Sequence, residues 1–318
     1  MTGHDRRRGH ESKNAHGRHE HGHGRAHARD KSGASGKRIF WVTVLNAVIT
    51  LAEIAGGLLS GSLALLSDAV HNFSDTAAVA LSYFTGKIAQ RPKDAKRTYG
   101  YKRAEILSAF VNSSVLLAVS FMLIVEAFKR LKSPETIDGT LMITVALIGL
   151  AADIVSVLLL ESQAHKSLNL RSSYLHLISD AISSVGVLAG GVVIKLWGVV
   201  WVDPLVTAVI SVFIIKETVR IIKKTVDILM QSSAKLDYDA IIKGIEAMDK
   251  VVNIHHIHCW MSDESTVYFE AHIDMEDIPL SEAQKVYDRI ERFLKEEHGV
   301  SHVTLQAETD KCCSKDVF

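Results

Sequence analysis

Cysteine is scarce in this chain: Cys259, Cys312 and Cys313 are the only three among 318 residues. So few thiols, all in the C-terminal third, exclude a disulfide framework and agree with a reducing cytosol around that region. Net charge is missing as well, since 36 Lys and Arg balance 36 Asp and Glu, and no nucleic-acid partner is expected. The polar start has no short apolar core followed by a small-residue cleavage site, so a secretory signal peptide is not expected. No apolar span carries the metalloprotease motif HExxH, whose one match, His19–His23, falls in the polar tail, so an intramembrane protease is not expected. What the chain does have is segregated. Residues 1–38 are almost wholly polar, the middle is apolar, and the stretch from about residue 230 reads as an ordinary soluble domain.

A helix needs roughly 20 mostly apolar residues to cross a hydrocarbon core of about 30 Å. Six stretches qualify once their polar residues are allowed to face inward: 39–59, 63–88, 104–128, 140–160, 173–196 and 202–222. Ser60-Gly61-Ser62 predicts a tight turn between the first two, and Ser133-Pro134 breaks the pattern after the third. Trp197 and Trp201 bracket the last short link, where interfacial aromatics are common. The link after the second span carries Arg91, Lys93, Lys96, Arg97, Lys102 and Arg103. Basic residues also precede the first span and follow the sixth (Arg220, Lys223, Lys224), and Lys166 and Arg171 lie between the fourth and fifth. The positive-inside rule puts these regions in the cytosol, with both termini, in a multi-pass inner (cytoplasmic) membrane protein. Lys129, Arg130 and Lys132 run against this orientation and are outvoted.

After Met230 the periodicity changes. Residues 238–248 and 281–297 read as amphipathic helices, with Ser281 as the expected N-cap of the second, and 251–260, 266–274 and 302–307 as strands. An α-β-β-α-β order predicts a small sheet with helices on one face, a ferredoxin-like α+β domain. The expected organisation is thus a disordered His-rich tail (1–38), a six-helix transmembrane domain (39–224), a cytosolic metal-binding and dimerisation domain (230–310) and a short C-terminal tail (311–318).

Two copies of one step carry the chemistry: His71-Asn-Phe-Ser-Asp75 and His176-Leu-Ile-Ser-Asp180, each inside an expected span. Residues i and i+4 share a helix face, so each copy offers one imidazole and one carboxylate to the same point. Two such helices facing each other would assemble a four-ligand site suited to tetrahedral Zn2+. Ionisable groups at membrane depth cost about 2.5–3.5 kcal/mol each on insertion scales and mark pathways or relays. Asp68 lies near the face of His71; Glu53 and Asp153 are further acids inside spans, whereas position near a membrane surface accounts for Glu105 and Glu126. The tail concentrates His4, His10, His16, His19, His21, His23 and His27, a composition that cannot build a core and that binds Zn2+, Ni2+ or Cu2+ loosely. In the soluble domain, strand alternation puts His256 and His258 on one face and His255 on the other. A regulatory zinc site is expected from His255, His272 and a residue near the last strand.

Ser67-Asp68-Ala69 leading into His71 and Asp75, the run from Tyr99 to Glu105, Asn169 to His176 and Asp180, and His255 to Trp260 together resemble the cation diffusion facilitator family, specifically its zinc-transporting branch. The resemblance covers about residues 39–310. It implies a homodimer in the lipid bilayer with six transmembrane helices per subunit, and a cytosolic domain that dimerises, often in response to zinc. It also implies a secondary active transporter rather than an enzyme, exchanging metal for protons by alternating access. Mapped here, the transport site is His71, Asp75, His176 and Asp180, and the cytosolic ligands are His255, His272, His302 and Glu308. Zn2+ is then the expected substrate, with Cd2+ and Co2+ also open, and protons the counter-substrate; a metal-gated channel or a metal sensor is the competing reading. Three features depart from the family pattern. Asp153 stands where Asn is usual, Cys259 replaces an aliphatic residue before Trp260, and the link after the second span lacks the His ligands of some relatives.

Overall fold

The computed structural model describes residues 26–164, 168–309 and 317. His4, His10, His16, His19, His21, His23, Cys312 and Cys313 lie outside the described residues. Six long helices come first: α1 Ala26–Ser60, α2 Leu63–Ala89, α3 Arg103–Lys132, α4 Gly139–Ala164, α5 Leu168–Trp197 and α6 Val202–Leu229. Then follow α7 Tyr238–Glu246, β1 Val251–Met261, β2 Val267–Met275, α8 Leu280–His298 and β3 His302–Glu308. The segment 26–38, expected as structureless, is the start of α1. No proline interrupts it, and a helix nucleated in the apolar span propagates at low cost through residues such as Ala26, Ala28 and Arg29.

Four of the six helices contain stretches long and apolar enough to cross a membrane: Thr43–Ser60, Arg103–Lys132, Gly139–Leu158 and Tyr174–Trp197. α2 and α6 carry more polar residues, and burial explains how they coexist with the rest. On α2 the buried set includes Ser67, Asp68, Asn72 and Ser74; on α6 it includes Asp203, Thr207, Ser211 and Thr218. Large apolar side chains such as Leu58, Phe84, Phe121, Ile182 and Val209 point outward. This inverted pattern suits a bundle solvated by lipid, where polar groups find partners only inside.

The turn between α1 and α2 has Gly61 at φ +74°, a left-handed conformation that glycine adopts without a Cβ clash. Ser62 accepts from Leu65 N–H as the N-cap of α2. Asp203, at the start of α6, then closes the same helix end from a neighbouring element. It accepts from Leu63 N–H at 2.9 Å, Ala64 N–H at 3.1 Å and Ser62 Oγ at 2.5 Å. A carboxylate at a helix N-terminus satisfies donors that have no partner within the helix and complements its dipole.

In the C-terminal domain β1 pairs antiparallel with β2, and β2 pairs parallel with β3, so the expected α-β-β-α-β order holds. Ile241 and Ile245 of α7, with Val286, Ile290 and Leu294 of α8, pack against Ile254, Phe269 and Ile273 of the sheet. One sheet face is therefore core, and the residues alternating with it lie on the other. Ser281 is not a cap: α8 starts at Leu280 behind Pro279, and no side chain caps it. The alternation expected for β1 also fails. His255 pairs with His272 and His258 with Glu270, so three residues of β1 span two of β2. This bulge turns His255 and His258 to the same face.

Candidate metal centres

The HxxxD steps meet across the bundle. α2 and α5 run antiparallel here, because His71 faces Asp180 while Asp75 faces His176. His71 Nε2 lies 3.7 Å from Asp75 Oδ2 and 3.4 Å from Asp180 Oδ1. His176 Nε2 lies 2.9 Å from Asp75 Oδ2 and 3.9 Å from Asp180 Oδ2. Donors about 2.0–2.1 Å from a tetrahedral Zn2+ are separated by about 3.3 Å, a value these four distances bracket. All four ligand atoms lie within 4.8 Å of one another. Among the described residues the buried Nδ1 of His71 has no hydrogen-bond partner.

Access to the site is graded. The side chains of Asp75 and His176 are 34% and 47% exposed, whereas those of His71 and Asp180 are 16% and 6% exposed. Asp75 and His176 lie toward the C-terminal end of α2 and the N-terminal end of α5. That end of the bundle also holds the start of α3 and the end of α6, which touch the sheet domain. Lys102, just before α3, pairs with Asp263 Oδ2 at 3.2 Å, and Lys224 of α6 pairs with Glu264 at 2.8 Å. The two more exposed ligands are thus those nearer the soluble domain, and the two more buried ones lie farther from it.

Buried polar contacts surround the more buried ligands. Ser183 Oγ donates to Asp68 Oδ1 at 2.7 Å, and Ser184 Oγ lies 3.1 Å from Asp68 Oδ2 and 2.7 Å from Asp153 Oδ2. One hydroxyl proton can serve only one of those two acids at a time. Asn72 Nδ2 donates to Glu53 Oε2 at 2.9 Å, and Asn112 Nδ2 donates to Ser74 Oγ at 3.0 Å. Glu53, Asp68 and Asp153, left open by sequence, all take part. Ser183, Ser184, Asn72 and Asn112 were not singled out; the signal for them was the clustering of polar residues within apolar spans. Glu126 lies at the other end of α3 and pairs with Lys129 and Arg130.

In the soluble domain His255, His272 and Glu308 converge. His255 Nε2 is 3.5 Å from Glu308 Oε2, and His272 Nδ1 is 3.1 Å from Glu308 Oε1. These facing atoms, His255 Nε2, His272 Nδ1 and Glu308 Oε2, are buried and have no hydrogen-bond partner among the described residues. His255 Nδ1 meets Asn253 Oδ1 at 3.1 Å, a contact that fixes the ring and leaves Nε2 as a free donor atom toward the cluster. Chemically this trio fits a borderline cation. His302 is not brought to it. β3 places His302 opposite Tyr268, with ring centroids 5.5 Å apart, whereas Glu308 is opposite Asp274 at the other end of the strand pair.

Beside the sheet, Asp263 anchors the turn between β1 and β2. Burial alone would raise its carboxyl. Hydrogen bonds from the Ser265 N–H, Thr266 Oγ1, Ser265 Oγ and Lys102 outweigh this and hold it at about 2. Lys102 Nζ also donates to Thr266 Oγ1, so the link between α2 and α3 is tied to this turn.

A lipid-facing helical bundle with a His/Asp cluster between two helices, joined to a small sheet domain with a His/Glu trio, defines a membrane protein with candidate cation sites. Comparison with known proteins is specific. Residues 39–230 match the cation efflux transmembrane domain and residues 234–310 match the cation efflux protein cytoplasmic domain. The chain is similar to the metal cation efflux system protein CzcD of Cupriavidus metallidurans, 33% identical over 294 residues, covering 92% of this chain and 93% of that relative. It is 32% identical over 282 residues to the cadmium, cobalt and zinc/H(+)-K(+) antiporter of Bacillus subtilis, covering 87% and 90%. Similarity to the zinc transporter ZitB of Escherichia coli is 31% over 301 residues, covering 94% and 95%. The chain belongs to the cation efflux family, the cation diffusion facilitators.

Proposed function

We propose that this protein exports divalent cations, Zn2+ foremost, from the cytosol across the inner membrane in exchange for protons. His71, Asp75, His176 and Asp180 are the transport ligands, and all six long helices cross the bilayer with both termini in the cytosol. The single observation that carries this reading is the tetrahedral spacing of two imidazole nitrogens and two carboxylates between antiparallel α2 and α5. Relatives named for zinc, cadmium and cobalt transport support the substrate class.

The charges explain why exchange follows from this ligand set. Two carboxylates neutralise one Zn2+. Two protons on His71 and His176 restore the same total charge, and each imidazolium already has a carboxylate opposite it on the facing helix. Metal and protons therefore compete for the same four side chains. In this reading the end nearer the soluble domain, where Asp75 and His176 are the more exposed ligands, is the cytosolic one. Transport needs the polar network of Asp68, Ser183, Ser184 and Asp153 to part while the cytosolic end closes. The sheet domain, through His255, His272 and Glu308, binds regulatory zinc and joins two subunits into a homodimer.

The test is zinc accumulation in proteoliposomes with the cytosolic face outward. An acid interior is expected to drive 65Zn2+ uptake against its gradient, and collapsing the pH difference with an ionophore is expected to stop it. Downhill flux that ignores the pH gradient would point to a channel and refute the exchange.

A further inference from the structure

Next to the His255–His272–Glu308 trio, the bulge in β1 creates an arrangement that simple alternation would not. His256 has φ +52°, a left-handed conformation uncommon outside Gly, Asn and Asp. The turned backbone leaves the Ile257 N–H to donate to Val317 O at 2.7 Å, so the distortion is held by a hydrogen bond of its own. As a result His256 Nε2 and His258 Nε2 approach to 3.2 Å, with ring centroids 4.6 Å apart. Both imidazoles are exposed. Glu270, also exposed, is the cross-strand partner of His258 and belongs to the same sheet face.

We infer that His256 and His258, on the sheet face that also carries Glu270, form a second divalent-cation site, separate from the buried trio. Two nitrogens bound to one tetrahedral ion at about 2.0–2.1 Å lie about 3.3 Å apart, and 3.2 Å is the spacing the bulge imposes. Imidazole and carboxylate donors select Zn2+, Ni2+ or Cu2+ over Mg2+ or Ca2+, which favour all-oxygen shells. Exposure makes this the weaker of the two sheet sites, loading after the buried one. The His256 and His272 rings are 4.7 Å apart, so the two sites are direct neighbours on one surface. None of this depends on the transport mechanism proposed above.

The test counts zinc bound per chain on the full-length protein in detergent at pH 7, by equilibrium dialysis and elemental analysis across a range of free zinc. The variants are His256→Asn with His258→Gln, and His258→Gln alone. Asparagine tolerates the left-handed backbone, and both positions are at the surface, so gel filtration is expected to match the parent. Zinc held by the transport ligands or the His-rich tail is common to all samples and cancels in the difference. Each variant is expected to bind one ion fewer per chain, lost from the weaker phase of the isotherm, while Glu308→Gln loses an ion from the tighter phase. An unchanged count in either His variant, or a loss from the tighter phase only, overturns the second site.

Discussion

Replacing Asp180 by Asn tests the transport ligands directly, because the change alters charge and leaves shape almost intact. Asp180 is 6% exposed in its side chain and faces His71 at 3.4 Å. With both carboxylates ionised the zinc-loaded site is neutral; in the Asp180→Asn variant it retains one positive charge in the bundle interior. An uncompensated charge at membrane depth costs about 2.5–3.5 kcal/mol on insertion scales. At about 1.4 kcal/mol per decade, that lowers zinc affinity by about 60- to 300-fold. The same substitution at Asp75, 34% exposed, removes an equal charge where water screens it, and a smaller loss is expected. The assay is the zinc concentration dependence of 65Zn2+ uptake into proteoliposomes, with the protein's thermal midpoint as a control for folding. If Asp180→Asn raises the half-saturating concentration less than tenfold, or less than Asp75→Asn does, the charge reasoning is wrong.

In the soluble domain, zinc at 100 times its Kd is expected to stabilise by about 2.7 kcal/mol, worth about 10–20 °C for a domain of this size. Trp260 fluorescence on melting follows it, and Glu308→Gln is expected to remove more than half of the zinc-dependent shift; a full shift in that variant would exclude the trio. Asp263 gives a pH signature. Its carboxyl is held at about 2 in the folded protein, below the ordinary value near 3.9, so its contribution is fully present above about pH 4 and is lost as pH falls through about 2. Discounted for nearby water, that is about 1 kcal/mol. Asp263→Asn is expected to lower stability at pH 7 by this amount and to flatten the acid limb of the unfolding profile between pH 4 and 2.

That His71, Asp75, His176 and Asp180 come together was legible from the sequence, because the helix repeat alone puts i and i+4 on one face, and two copies in two apolar spans need only meet. What could not be read is whatever depends on register between distant segments. The Asp203 cap joins residues 140 positions apart, and the Ser184 contacts cross 116 and 31 positions. The family resemblance grouped His302 with Glu308, although six residues along one strand stand about 20 Å apart, and β3 sets His302 opposite Tyr268 and Glu308 opposite Asp274. The bulge at His256 gave no warning either, since no Gly, Asn or Asp marks it, and it overturned the alternation that had separated His255 from His258. The soluble core was easier: Ile241, Ile245, Ile290 and Leu294 follow helix spacing, and their helices close the face that the strands predict.

Asp203 fastens the N-terminal end of α2 to the start of α6, whereas the other end of α2 runs into the Lys102 link. A rod held at one tip behaves as a lever. At 1.5 Å per residue, His71 is about 14 Å from that fulcrum and Asp75 about 20 Å, so a tilt of about 10° would swing them by about 2 Å and 3 Å. Pairs of donor atoms that now stand a bond's reach from a shared ion would be drawn apart unevenly, Asp75 leaving His176 before His71 leaves Asp180. A small rocking of one helix is therefore enough to take the cage apart in sequence rather than all at once.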